Sequence, residues 1–191
     1  MKKITSILIL LISFVLLVPI KAFGEIPATA ERAFTVKSSG FYAGETIPLK
    51  YVCTTISGGG NISLPLRWSG APANTKSYAI FMYDLNPVAK NFVHWAVINI
   101  PKTETAIQEG ASGTPNMPKG SIELPNTAGK MEYAGPCPPA GTDKHEYKII
   151  VYALDTEKLN FSGVTTLAQF QAAIESKVLA QTELSGFFEQ K

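Results

Sequence analysis

The sequence predicts a mainly β chain with a minor α component: antiparallel sheets with one helix packed at a side or end. Three observations carry this expectation. Five runs rich in β-branched and aromatic residues are spread along the chain. Turn-forming stretches separate them, and the 191 residues include 15 Gly and 13 Pro. A single segment, close to the end, repeats apolar residues at helical spacing.

The first 24 residues stand apart from this pattern. Lys2 and Lys3 precede an apolar run from Ile7 to Ile20, broken by Ser13 and Pro19 and followed by Lys21-Ala22-Phe23-Gly24. This is the layout of a secretory signal peptide cut after Gly24. The run is shorter than the ~20 residues that a spanning helix needs. The expected organisation is therefore a leader at 1–24 and a single domain at 25–191, placed in the periplasm or secreted. Removing Lys2, Lys3 and Lys21 lowers Lys+Arg from 17 to 14, against 15 acidic residues. That near-neutral balance, with no basic run interleaved with aromatics, argues against nucleic acid as a partner.

Beyond the leader, strands are expected at 33–38 (AFTVKS), 45–52 (ETIPLKYV), 77–84 (SYAIFMYD), 94–100 (HWAVINI) and 147–154 (YKIIVYAL). Loops are expected at 57–61 and 69–75, with a long polar loop at 101–129 that forms a lid or rim. The segment 61–68 (NISLPLRW) looks like a strand entry whose Trp68 packs in the core. Near the end, Thr165 or Thr166 caps a helix whose stripe is Leu167, Phe170, Ile174, Val178 and Leu179, with Gly186 closing the region.

Candidate chemistry gathers at strand ends. His94 opens one strand, Asp84 closes another, and His145 with Tyr147 opens a third. His145 and Tyr147 are two apart, so on a strand they share a face. The segment from Gly135 to Pro139 is stiffened by Pro136, Pro138 and Pro139 and forms an extended wall. If these strands neighbour one another, Asp84, His94, His145 and Tyr147 converge, with Asp84 orienting a histidine and the imidazoles and phenol donating to an anion. Two histidines and one aspartate also match the count of a facial-triad metal site, but no short metal-binding spacing supports it. No G-x-S-x-G elbow supports a serine hydrolase. Cys53 and Cys137 are either free thiols or a disulfide that would add roughly 4–5 kcal/mol, and an exported chain favours the bridge.

Four motifs in order resemble the phosphatidylethanolamine-binding protein family, in its bacterial Raf-kinase-inhibitor-like (YbhB/YbcL) branch. They are N-x-S-x-P-x-x-W from Asn61, D-x-x-P from Asp84, H-W-x-V-x-N-I-P from His94, and Y-x-G-P-C-P-P-x-G-x-x-x-H-x-Y from Tyr133, followed by Y-A-L-D from Tyr152. The resemblance runs from about Phe34 to Phe188. It implies a large antiparallel sheet packed on a smaller one, with helices near the C-terminus. It also implies a pocket for phosphate or a phospholipid head group, lined by Asp84, His94, Gly135, Cys137, Pro138, His145 and Tyr147. Trp95, Pro139 and Asn86 would support it. Asn86 departs from the family's second acid, and Gly186-Phe187-Phe188 lacks its usual tyrosine hydroxyl. The function implied is non-enzymatic binding of a small anion, without a cofactor or metal. The alternatives are a protease or kinase inhibitor acting through surface loops and, last, a hydrolase. Oligomeric state is open.

Overall fold

The computed structural model describes residues 33–163 and 165–191. The leader expected at 1–24 lies outside the described residues. Among the described residues eight strands and one α-helix form in chain order: β1 (Thr35–Lys37), β2 (Leu66–Ser69), β3 (Ser77–Asp84), β4 (Val93–Pro101), β5 (Ala106–Ile107), β6 (Ile122–Glu123), β7 (His145–Leu154), α1 (Leu167–Ile174) and β8 (Val178–Phe188). They make two antiparallel sheets, a small one ordered β1-β2-β5 and a large one ordered β6-β4-β3-β7-β8. The mainly β expectation with one short helix holds.

The central strands explain themselves by alternation. In β3, Tyr78, Ile80 and Met82 join one core, while Ala79, Phe81 and Tyr83 join another. Successive strand residues face opposite sides, so a strand buried on both faces must be apolar throughout. β7 does the same, with Tyr147, Ile149 and Val151 on one side and Ile150, Tyr152 and Leu154 on the other. The first core includes Leu66 and Trp68 of the small sheet. The second includes Phe170 and Ile174 of α1. Thr166 caps that helix, its hydroxyl oxygen accepting from the Gln169 N–H at 3.2 Å.

β4 carries a bulge at Asn99, whose φ is +60°. Its side chain gives Nδ2–H to the Leu159 carbonyl at 3.3 Å and accepts from the Leu159 N–H at 2.7 Å. The extra residue puts Ile98 in the second core and Ile100 in the first, and ties the loop after β7 to the sheet.

Several expectations need correction. The segment 45–52 is not a strand: it makes one parallel bridge, Thr46 to Phe187, then curls into a 3-10 turn at Leu49–Tyr51. Pro48 has no N–H for a ladder and stands immediately before that turn, while Ile47, Tyr51 and Val52 are buried all the same. The apolar stripe through Val178 and Leu179 is not helix either. α1 stops at Ile174, and Val178–Phe188 pairs with β7 from end to end. Gly186 does not close the region but sits inside β8, where a Cβ would meet Phe41 at 2.5 Å and Ile47 at 2.7 Å. The long segment 101–129 is loop apart from β5 and β6.

Candidate functional site

Register brings the candidate residues together. Asp84 at the end of β3 pairs with Tyr147 of β7, and Tyr83 pairs with Val93 of β4. Asp84, His94 and His145 therefore gather at one end of the large sheet, around a cavity of about 570 Å³. All three are buried, at 3%, 4% and 1% exposure.

Asp84 and His145 form the firmest contact. His145 Nδ1–H donates to Asp84 Oδ2 at 2.6 Å, and Asp84 Oδ1 accepts the Asn86 N–H at 2.8 Å. On its other side, His145 Nε2 lies 3.1 Å from Thr142 Oγ1, whose own hydrogen goes to the Pro139 carbonyl at 2.8 Å. Asp84 thus holds one edge of the His145 ring, and Thr142 Oγ1 lies beside the other. The order Thr142–His145–Asp84 has the outline of a nucleophile–base–acid relay. Thr142, however, donates to Pro139 and is not among the residues lining the cavity.

His94 behaves differently. Its Nδ1 is 2.7 Å from the Ala134 carbonyl, a contact that only an N–H can make. Burial lowers its pKa to about 4, against a smaller upward pull from the Ala134 carbonyl, the Asp84 charge and the Gly135 carbonyl. The ring is neutral near pH 7 with the hydrogen on Nδ1, so Nε2 is an acceptor and not the donor that sequence reading expects. Phe92 tilts against this ring at a centroid distance of 4.8 Å.

The wall from Tyr133 to Pro139 is held at many points. The Ala134 N–H donates to the His94 carbonyl at 2.8 Å and the Cys53 N–H to the Pro136 carbonyl at 3.1 Å. Tyr133 Oη donates to the Tyr51 carbonyl at 2.9 Å, and the Gly135 N–H to Asn61 Oδ1 at 2.7 Å. Gly135 is required by close approach, since a Cβ there would lie 2.3 Å from the Tyr51 carbonyl oxygen. Cys53 and Cys137 are joined in a disulfide, which closes the alternative of two free thiols.

Gly135, Cys137, Pro138 and Pro139 line the cavity. Tyr147 does not. It is fully buried behind the imidazoles, edge-on to His94 at 5.1 Å and stacked with His145 at 6.3 Å. Its hydroxyl has no partner in good geometry, and burial, then the Asp84 charge, push its pKa well above the usual tyrosine range. Trp95 also stands back, donating Nε1–H to Glu123 at 2.7 Å. Asn86 acts on shape. Its Oδ1 accepts the Val88 N–H at 3.0 Å and caps the turn that carries Val88 and Ala89 to the cavity. Among the described residues no group of three His, Cys, Asp or Glu is placed to hold a metal ion.

Sequence reading passed over Asn61, Phe92, Lys130 and Glu132, all of which line the cavity. Phe92 had a signal, being two residues before His94 and therefore on its face of an extended chain. Asn61 heads the first motif but was expected to serve core and turn packing.

Residues 37–189 match the profile of the family described as phosphatidylethanolamine-binding protein. The chain belongs to that family. It is 33% identical to the YbcL protein of Escherichia coli over 163 residues, 83% of this chain and 89% of YbcL. It is 34% identical over 163 residues to a Mycobacterium tuberculosis protein carrying the lipoprotein name LppC, covering 85% of this chain and 76% of the other. The crystal structure of Escherichia coli YbcL superposes with a TM-score of 0.77, at 33% identity, over 85% of this chain and all of that one.

Proposed function

We propose that this member of the phosphatidylethanolamine-binding protein family is an exported, non-enzymatic binding protein. Its cavity takes a small phosphate-type anion, free or as a phospholipid head group. The observation that carries the reading is the cavity floor. A buried Asp84–His145 pair and a neutral His94 face a space of about 570 Å³ otherwise walled by residues such as Val88, Phe92 and Pro138. A largely apolar cavity with a few convergent polar groups is the common form of a small-ligand site. The family's descriptive name agrees with this ligand class. Catalysis is disfavoured because the one sulfur-bearing pair in the wall is oxidised and the hydroxyl nearest a histidine, on Thr142, points elsewhere. Export is supported by the disulfide, which persists in oxidising compartments, by the leader-like residues 1–24, and by the lipoprotein name of one relative.

Titration with inorganic phosphate and with phosphoethanolamine, followed through the side-chain NMR signals of His94 and His145, tests this reading. Saturable shifts of both rings are expected. Unmoved signals at millimolar ligand would remove the cavity as a binding site.

A further inference from the structure

The Cys53–Cys137 bridge is open to attack from the cavity. Both cysteines line that space. Cys53 is partly buried and packs against the first core, whereas Cys137 is exposed. Thr55, also exposed and also lining the cavity, places its Oγ1 3.1 Å from Cys53 Sγ and 3.1 Å from Cys137 Sγ. A disulfide sulfur carries no hydrogen, so the Thr55 hydroxyl is the donor in both contacts. The turn that presents it is closed by the Ile56 N–H, which donates to the Cys53 carbonyl at 3.2 Å. Lys130 is the one lysine or arginine among the lining residues, and Glu132 stands 3.7 Å from it.

The wall does not depend on this bond alone. The segments on either side of it are also joined by the Cys53 N–H to the Pro136 carbonyl at 3.1 Å and by Tyr133 Oη–H to the Tyr51 carbonyl at 2.9 Å. Asn61 adds a third link, receiving the Gly135 N–H at 2.7 Å on its side chain and giving its own N–H to the Val52 carbonyl at 2.7 Å. The sulfurs can therefore separate while the backbone around them stays in place, and they remain close enough to rejoin. Exposed bridges are also the ones that exchange most readily with outside thiols. We propose that Cys137 is a reversible modification site, at which a low-molecular-weight thiol entering the cavity opens the bridge and forms a mixed disulfide.

The step conserves atoms and electrons. The incoming thiolate bonds to Cys137 Sγ as the Sγ–Sγ bond breaks, and the electron pair leaves on Cys53 Sγ, which then takes a proton from solvent. Exposure decides the direction, since Cys137 is the sulfur side that solvent reaches and Cys53 the side held by the core. Thr55 assists the departure. A bridged sulfur is a weak acceptor and a thiolate a strong one, so the Thr55 hydrogen bond strengthens as the bond breaks. A second thiol attacking the small-molecule sulfur frees Cys137. The chain is then reduced by two electrons and the thiol is oxidised to its own disulfide. While the adduct lasts, its substituent stands at the wall of the cavity and takes up part of the space of about 570 Å³.

Exposure of the native full chain to 2-mercaptoethanol, quenched at early times with N-ethylmaleimide and followed by peptide mapping in a mass spectrometer, tests this. The expected product carries the mercaptoethanol adduct on Cys137 and the maleimide on Cys53. Circular dichroism should show the fold retained, and removing the thiol under an oxidised thiol buffer should restore the bridge. Thr55→Val should slow opening about tenfold, the worth of one hydrogen bond to a charged sulfur, and Thr55→Ser, which keeps the hydroxyl, should open at close to the native rate. A bridge that opens only in denaturant overturns the proposal, as does an adduct on Cys53 alone or loss of the fold on opening. Equal rates for Thr55→Val and the native chain overturn the part given to Thr55. The adduct map needs no variant, so it decides the site even where Thr55→Val does not fold.

Discussion

His145 Nδ1 lies 2.6 Å from Asp84 Oδ2, with both side chains almost fully withdrawn from water. The two residues are 61 positions apart and meet because β3 pairs with β7 as far as Asp84 and Tyr147, with His145 two residues further along β7. A contact of this kind contributes less than its raw attraction, since both groups have left water, but breaking one side is costly. Asp84→Asn keeps the shape and weakens the acceptor. We expect a loss of about 3–5 kcal/mol in unfolding free energy, read by urea denaturation. A loss below the error of the measurement would show that the pair is not held as described.

His94 should impose a pH dependence on stability. Its folded pKa is about 4, lowered by burial from 6.5. Between those values the unfolded chain binds more protons, so unfolding free energy rises with pH through that window. It is complete above about pH 6.5 and falls as pH drops toward 4, by about 3 kcal/mol in all. His94→Gln should flatten this part of the profile. An unchanged slope in the variant would assign the effect to other groups.

Gly135 and Gly186 make a contrasting pair. A methyl group at 135 would strike backbone, the Tyr51 carbonyl oxygen at 2.3 Å, whereas at 186 it meets the side chains of Phe41 and Ile47. Side chains can turn aside and a paired backbone cannot. Gly135→Ala should cost at least about 1–3 kcal/mol and weaken phosphate binding. Gly186→Ala should cost less and leave binding intact. Thermal melts and phosphate titration of both variants decide between this order and its reverse.

The Cys53–Cys137 bridge spans 84 positions and joins two stretches of the cavity wall. By the chain-entropy account it adds about 4–5 kcal/mol. Native protein should show no reactive thiol without reductant, and reduction should lower the melting temperature. Two thiols titrating in the untreated protein would contradict the bridge.

By itself the sequence determined β3, β4 and β7 and marked Asp84, His94 and His145, which line one cavity. Runs such as SYAIFMYD and YKIIVYAL are apolar on both faces, and that pattern is local. The motifs around Asp84, His94 and His145 mark the residues that meet at the cavity because they sit at strand ends, where register alone brings them together. Tertiary structure decided what depends on a distant partner. Val178 and Leu179 fit a helical stripe, yet they begin β8 because the edge of β7 offers it backbone hydrogen bonds along its whole length. Segment 45–52 has strand composition, yet it makes a single bridge and buries its apolar residues from a turn. The proton on His94 belongs to the same class, since the carbonyl that fixes it comes from Ala134, 40 positions away. Local pattern sets which faces are apolar. Which backbone and which hydrogen each group finds is settled only when the chain has closed on itself.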